Sequence, residues 1–277
     1  MTDSKLIEQY LETRAYTEAL CKPLAIEDYV PQAIEFVSPV KWHIAHVSWF
    51  FEELILKKYL DAYQEFDPQF CFLFNSYYQS VGERAVRFQR GIYTRPTVEK
   101  VFLYRHYVDR HMQKLLEQDI SSEVKALVVL GINHEQQHQE LLLTDLKYTF
   151  GLNLLYPEYH PNFTLEADHN SAHGWLKCES SLYDIGHEGD EFCYDNELGK
   201  HQVYLEAFEI SQALVTNGEY IDFIEQGGYQ NVQLWLDDGW NWVCNENISQ
   251  PLHWHKIDGQ WYYYTLAGLK RVDKNAM

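Results

Sequence analysis

Residues 121–151 read SSEVKALVVLGINHEQQHQELLLTDLKYTFG, and the reading of this stretch decides the class of the first half of the chain. Ser121 or Ser122 can accept an orphan N–H at a helix start, Gly151 is a natural stop, and the apolar residues between them recur at three and four. One long helix is the expectation. On that period Leu127 and Leu130 before, and Leu141 and Leu142 after, define a stripe meant for a core, which His134 and His138 interrupt. Histidines four apart project from one face of a helix and can grip a single metal ion. The simpler alternative is that each imidazole satisfies a hydrogen-bonding partner inside a helical core.

Working outward, Leu6, Ile7, Tyr10 and Leu11 predict a first helix that Pro23 stops. A second begins at Ser38-Pro39 and runs through KWHIAHVSWFFEELILKKYL (41–60). The connection from Asp61 to Pro96 contains CFLFNSYYQSVGERAVRFQRGIYTRP (71–96), too rich in aromatics and arginines for a slack linker. A third helix starts near Thr97, with Val98, Val101, Phe102, Val108, Met112 and Leu115 on one side. Four helices with long connections suggest a bundle over residues 1–155. From about Asn162 the helical period fades, and short apolar runs such as QVYLEAFEI (202–210) and QWYYYTL (260–266) fit strands, so residues 156–277 read as a second, α+β region. Thr216-Asn217-Gly218-Glu219 caps one brief helix, EYIDFIEQ, ended by Gly227-Gly228. LWLDDGWNWV (234–243) reads as a rigid, packed, irregular surface, and the final GLKRVDKNAM as a stretch with no terminating element.

Composition narrows the function. With 22 Lys plus Arg against 41 Asp plus Glu, the formal charge is −19, which opposes a phosphate-gripping surface and so nucleic acid as a partner. Five cysteines (Cys21, Cys71, Cys178, Cys193, Cys244) form no C-x-x-C pair and suit a reducing cytoplasm. The N-terminus lacks the hydrophobic centre of a secretory signal, and no run approaches the ~20 apolar residues that span a bilayer, so a soluble cytoplasmic chain is expected.

A third metal ligand is available in the second helix, where His43 and His46 stand three apart and only one need point inward. Bundles build metal sites from facing helices, and three neutral imidazoles leave positions open for substrate and oxygen. The pentapeptide His134–His138 also satisfies the H-E-x-x-H pattern of zinc peptidases, with Glu135 as general base. Glu158 would then be the third ligand, although Pro157 and Pro161 oppose a continuing helix there.

SPVKWHIAHVSWFFEE (38–53), FNSYYQSVGERAVRFQRG (74–91), INHEQQHQELLLTDLKY (132–148) and DNELGKHQVYLEAFEISQALVTNGEYIDFIEQGGY (195–229) with LWLDDGW together resemble the ergothioneine-biosynthesis sulfoxide synthases, the hercynine oxygenases. The resemblance runs from about residue 10 to the end. It implies a DinB-like four-helix bundle followed by a formylglycine-generating-enzyme-like, C-type-lectin-related domain, an α+β chain overall. It implies Fe(II) held by His46, His134 and His138, with His43 in a supporting or core role. Gln137 matches a position that helps hold the imidazole substrate. Tyr77 and Tyr78 match a tyrosine pair near the iron, where a phenol can donate a proton. Arg87 and Arg90 match positions used for the thiol substrate's carboxylate.

The implied substrates are hercynine (trimethylhistidine), O2 and a thiol, cysteine or γ-glutamylcysteine, the tyrosine pair leaning toward cysteine. Ovothiol or selenoneine synthases remain as siblings, and a zinc hydrolase or a noncatalytic metal-binding module as alternatives. Relatives of this kind extend past residue 277, so the resemblance also implies a C-terminally truncated chain whose metal site assembles while hercynine binding and turnover are impaired.

Overall fold

The computed structural model describes residues 3–76, 85–162 and 174–277. These fall into two compact units, Met1–His160 and Pro161–Met277.

The first unit is helical. α1 (Asp3–Cys21) is followed by a 3-10 turn at Ile26–Tyr29, then by α2 (Val40–Phe51), which continues through a π-helical segment, Glu52–Leu56, into the short α3 (Lys57–Tyr59). After α4 (Phe70–Phe74) and a 3-10 segment at Arg87–Ile92 come the long α5 (Val98–Leu116) and α6 (Ser122–Gly151). Local chemistry sets the starts. Thr97 Oγ1 accepts from the Lys100 N–H at 3.2 Å and Ser121 Oγ from the Val124 N–H at 3.3 Å, each satisfying a donor that lacks a partner within the helix.

α2 is the axis of the bundle. Every residue from Val40 to Phe51 is buried, as a helix apolar on all sides requires, and α2 packs against both α5 and α6 while α1 covers α6 and α5. The one lysine in it, Lys41, donates through Nζ to the carbonyls of Tyr93 and Pro96. Close approach of α6 to α2 depends on Gly131, where a Cβ would fall 2.5 Å from the Phe51 ring and 2.9 Å from that of Phe50. One turn beyond this contact lies His134.

The buried face of α6 differs from the predicted stripe. It runs through Val124, Val128, Gly131, Ile132, Glu135, Gln139, Leu142, Leu146 and Phe150, whereas Leu127 and Leu130 are only partly buried and Leu141 is exposed. Thus Glu135 and Gln139 interrupt the core face, and His134 and His138 lie beside it. Hydropathy misplaced the stripe because the core side of this helix carries a fully paired carboxylate, which a polarity pattern assigns to solvent.

Among the described residues, the second unit holds three small antiparallel arrays. β1 (Trp175–Cys178) pairs with β4 (Phe208–Ser211), β2 (Ser181–Ile185) with β3 (His201–Leu205), and β5 (Trp254–Ile257), β6 (Gln260–Thr265) and β7 (Gly268–Arg271) form a meander. α7 (Asn217–Glu225) opens on the Thr216 capping box, and Gly227, at φ 83°, ends its turn as a left-handed residue. The stretch read as irregular surface contains a helix, α8 (Asp237–Asn245). Nor is the final stretch without structure: β7 begins it, and the carbonyls of Lys274 and Ala276 accept the N–H groups of Gly218 and Asn217 at the start of α7. Ile221, Trp261 and Val272 make a small core, with Ile224, Trp254 and Tyr263 packed on it.

Candidate metal centre

α2 supplies His46, and α6 supplies His134 and His138 one turn apart. One ring nitrogen from each lies within 4.8 Å of the others, and among the described residues this is the group of side chains so disposed to hold a metal ion. Packing fixes the first ring. His46 lies nearly parallel to Trp42 on one side (13°, centroids 4.5 Å apart) and to Trp49 on the other (12°, 5.4 Å), both being its neighbours on the helical period. Its Nδ1 is 2.6 Å from the Phe74 carbonyl, so Nδ1 carries the proton and donates, leaving the Nε2 lone pair for the centre of the triad.

Electrostatics keep the three rings neutral, as ligands must be. Burial pushes His134 down to about 4, and burial followed by the neighbouring imidazoles holds His46 and His138 well below the ordinary histidine range. The donor set fits a divalent transition metal. A further mark is that the buried His134 Nδ1 has no hydrogen-bond partner among the described residues, as a nitrogen beside a metal position can.

His43, three residues before His46, does not join the triad. It faces His138 and Asp145 instead, 2.9 and 3.0 Å away.

The rings line a cavity of about 280 Å³ whose walls include Trp42, Ser38, Ser76, Arg87, Arg90, Gln137 and Asp145. The two arginines differ. Arg90 is buried, its guanidinium 3.4 Å from the Trp42 ring centroid and donating to Ser38 Oγ at 2.8 Å and Ser76 Oγ at 3.3 Å. Arg87 is exposed at the rim and donates from Nη2 to the Phe36 carbonyl at 2.7 Å. Both are carried on the 3-10 segment, which Gln32 ties down by donating to the Val37 and Arg87 carbonyls and accepting from the Gly91 N–H. Gln137 is exposed and reaches the cavity from the outer side of α6. Tyr77 and Tyr78 lie outside the described residues. Sequence reasoning missed Asp145, Trp42 and Gln32; for Asp145 a signal existed, since it stands two turns beyond His138 on the same face of the helix.

Glu135, the general base of the peptidase alternative, points the other way. Its carboxylate is fully buried, accepting from Arg14 Nη1 at 2.8 Å, Arg105 Nη2 at 2.6 Å and Thr17 Oγ1 at 2.6 Å. Burial alone would raise its pKa, but Arg105 and Arg14 hold it down to about 2. A base must reach a water on the metal, and this carboxylate is committed to two guanidinium groups on the far side of the helix.

Comparison with known proteins is consistent in both halves. The DinB superfamily profile matches residues 9–142, and that of the sulfatase-modifying factor enzyme 1-like domain matches residues 171–267. The chain is 33% identical over 142 residues to a hercynine oxygenase of Mycobacterium tuberculosis, a match covering 50% of this chain and 32% of that protein. It is 28% identical over 129 residues to a hercynine oxygenase of Mycolicibacterium thermoresistibile, covering 45% and 28% respectively. The match to each thus spans about a third or less of the relative's length. Among the described residues no helix is long and apolar enough to cross a membrane.

Proposed function

We propose that the chain belongs with the hercynine oxygenases it resembles and is an Fe(II)- and O2-dependent sulfoxide synthase of ergothioneine biosynthesis, a reading supported by the matches in both halves. It joins the sulfur of cysteine or γ-glutamylcysteine to an imidazole carbon of hercynine. In balance, an imidazole C–H and a thiol S–H are lost, a C–S and an S–O bond form, and O2 is reduced, its second oxygen leaving as water. The observation that carries this reading is the convergence of His46, His134 and His138 at the floor of a cavity that also holds two arginines.

His46, His134 and His138 would hold the iron, which when bound supplies a centre that takes up thiolate and activates O2. The remaining steps belong to the chain. Arg87, at the rim, meets the thiol substrate's carboxylate, where a guanidinium pairs with two oxygens. Arg90, clamped between Trp42 and the serines, adds fixed positive charge to the same wall. Gln137 offers an amide to the imidazole of hercynine. Tyr77 and Tyr78 keep the proton-donor role that the resemblance implies. Neutral ligand histidines and a partly enclosed cavity favour bringing two substrates into one geometry rather than hydrolysis by bulk water. The five free cysteines suit a reducing cytoplasm.

The test is anaerobic loading of the full chain with Fe(II), followed by O2, hercynine and either thiol, with mass spectrometry of the product. The expected product is the sulfoxide conjugate, dependent on iron and lost in His134→Ala. A chain that binds iron and makes no conjugate would be a metal-binding module instead.

A further inference from the structure

We propose that Asp145 and His43 form a two-residue positioning relay that fixes the tautomer and ring orientation of His138, so that its Nε2 is presented to the metal. This inference rests on the three-histidine reading of the site and adds to it the source of one ligand's alignment.

With both imidazoles neutral and the carboxylate ionised, the hydrogen bonds allow one proton arrangement. Asp145 Oδ2 accepts from the Ser38 backbone N–H at 2.8 Å and stands 3.0 Å from His43 Nε2. An ionised carboxylate only accepts, so His43 Nε2 carries its proton. In neutral His43 the lone pair is then on Nδ1, which faces His138 Nδ1 at 2.9 Å. Two lone pairs do not make a hydrogen bond, so His138 carries its proton on Nδ1, and its own lone pair is at Nε2. The sequence Asp145, His43, His138 therefore transmits a preference set by one carboxylate across two imidazoles.

Comparison of the three rings gives the relay its meaning. For His46 the same task falls to a backbone carbonyl, that of Phe74, which no side-chain substitution removes. For His134 Nδ1 there is no hydrogen-bond partner among the described residues. His138 alone depends on side chains, and those side chains come from both helices of the site, His43 on α2 and Asp145 on α6. The relay thereby also couples the spacing of the two helices to the direction of a ligand lone pair. Burial favours it: His43 is 3% and Asp145 12% exposed at the side chain, so water competes poorly for either bond. Outer partners of this kind orient a ligand ring and raise its basicity.

The experiment titrates the full-length apo chain anaerobically with Co(II), followed by visible absorption, in the unsubstituted chain and in His43→Leu, His43→Asn, Asp145→Asn and His134→Ala. Asn keeps an acceptor near the place of the His43 Nδ1, whereas Leu removes it. The expected result is Co(II) binding weakened by about 10- to 100-fold in His43→Leu, but by no more than about threefold in His43→Asn. Asp145→Asn should fall between them, because an amide can either accept from His43 or donate to it. Far-UV circular dichroism of each apo chain separates loss of fold from loss of ligand alignment.

A second measurement needs no variant. In the ¹⁵N-histidine spectrum of the Zn(II)-loaded chain, His138 should show a protonated Nδ1 and a metal-bound Nε2, and His43 a protonated Nε2. Unchanged Co(II) affinity in His43→Leu, or the opposite His43 tautomer, overturns the relay while leaving the triad intact. Unchanged affinity in His134→Ala overturns the triad itself, and the relay with it.

Discussion

The two units solve the burial problem differently. In the helical unit α2 is enclosed along its whole length, and a carboxylate with no exposed surface is neutralised by two guanidinium groups inside the core. In the second unit the paired strands β1–β4 and β2–β3 carry Trp175, Leu176, Leu182, Tyr204, Phe208 and Ile210 with large side-chain surfaces exposed, and the buried side chains lie elsewhere, in the cluster around Trp261 and at Tyr229, Val243, Tyr264 and Ala267. The lesson concerns where geometry can be held to the tolerance a ligand set demands. The His46 ring, stacked between Trp42 and Trp49 on a buried helix, is fixed by close-packed neighbours, whereas an open two-stranded ribbon fixes little beyond its own register.

This contrast predicts unequal consequences of substitution. The largest loss should follow Glu135→Ala, which removes the fully buried carboxylate shared by Arg14 and Arg105 and leaves them only the more exposed carboxylates of Asp109 and Glu18; it should cost about 3–5 kcal/mol, read as a lowered urea midpoint for the helical unit. Acid should act on the same interior. Glu135, at about 2 folded against 4.5 for the ordinary group, contributes stability that is complete above pH 4.5 and is lost as the pH falls toward 2. His134, at about 4 folded against 6.5, begins an earlier loss below pH 6.5, since the unfolded chain takes up that proton first. Thermal melts of the apo chain from pH 7 down to pH 3 should therefore show a steady decline; a flat profile would mean these groups are not buried as described.

In the second unit the comparable position is Trp261, and Trp261→Ala should cost about 3 kcal/mol, seen as earlier loss of near-UV dichroism there. Gly131→Ala, which pushes a methyl into the Phe51 ring, should destabilise the helical unit by about 1–3 kcal/mol and weaken metal binding with it. The smallest effect belongs to the open strands, where Leu182→Ser should change stability by no more than about 0.5 kcal/mol. A large loss there would erase the contrast between the units.

Much of this architecture was legible in the chain. The starts at Thr97 and Ser121, the capping box at Thr216 and the stop at Gly227 are local hydrogen-bond chemistry, written in a few adjacent residues. The α8 helix was not, because its clustered tryptophans suggest packed irregular surface and its N-cap, Leu236, offers no side-chain hydrogen bond. The buried face of α6 was misread by one position for a reason of the same kind. Glu135 belongs to the core only because Arg14, Thr17 and Arg105 reach it from two other helices.

The sequence by itself determined that two imidazoles, His134 and His138, share one face of a long helix, since a period of 3.6 residues leaves no other outcome. It determined as well that a bundle precedes an α+β region. Spacing left His43 and His46 open and only the resemblance implied His46; the tertiary structure decided that His46 joins the triad while His43 turns to Asp145, and that Glu135 points away from the face carrying the triad. Those choices depend on how α2 is rotated against α6, and that rotation follows from contacts such as Gly131 on Phe51, between residues eighty positions apart in the chain.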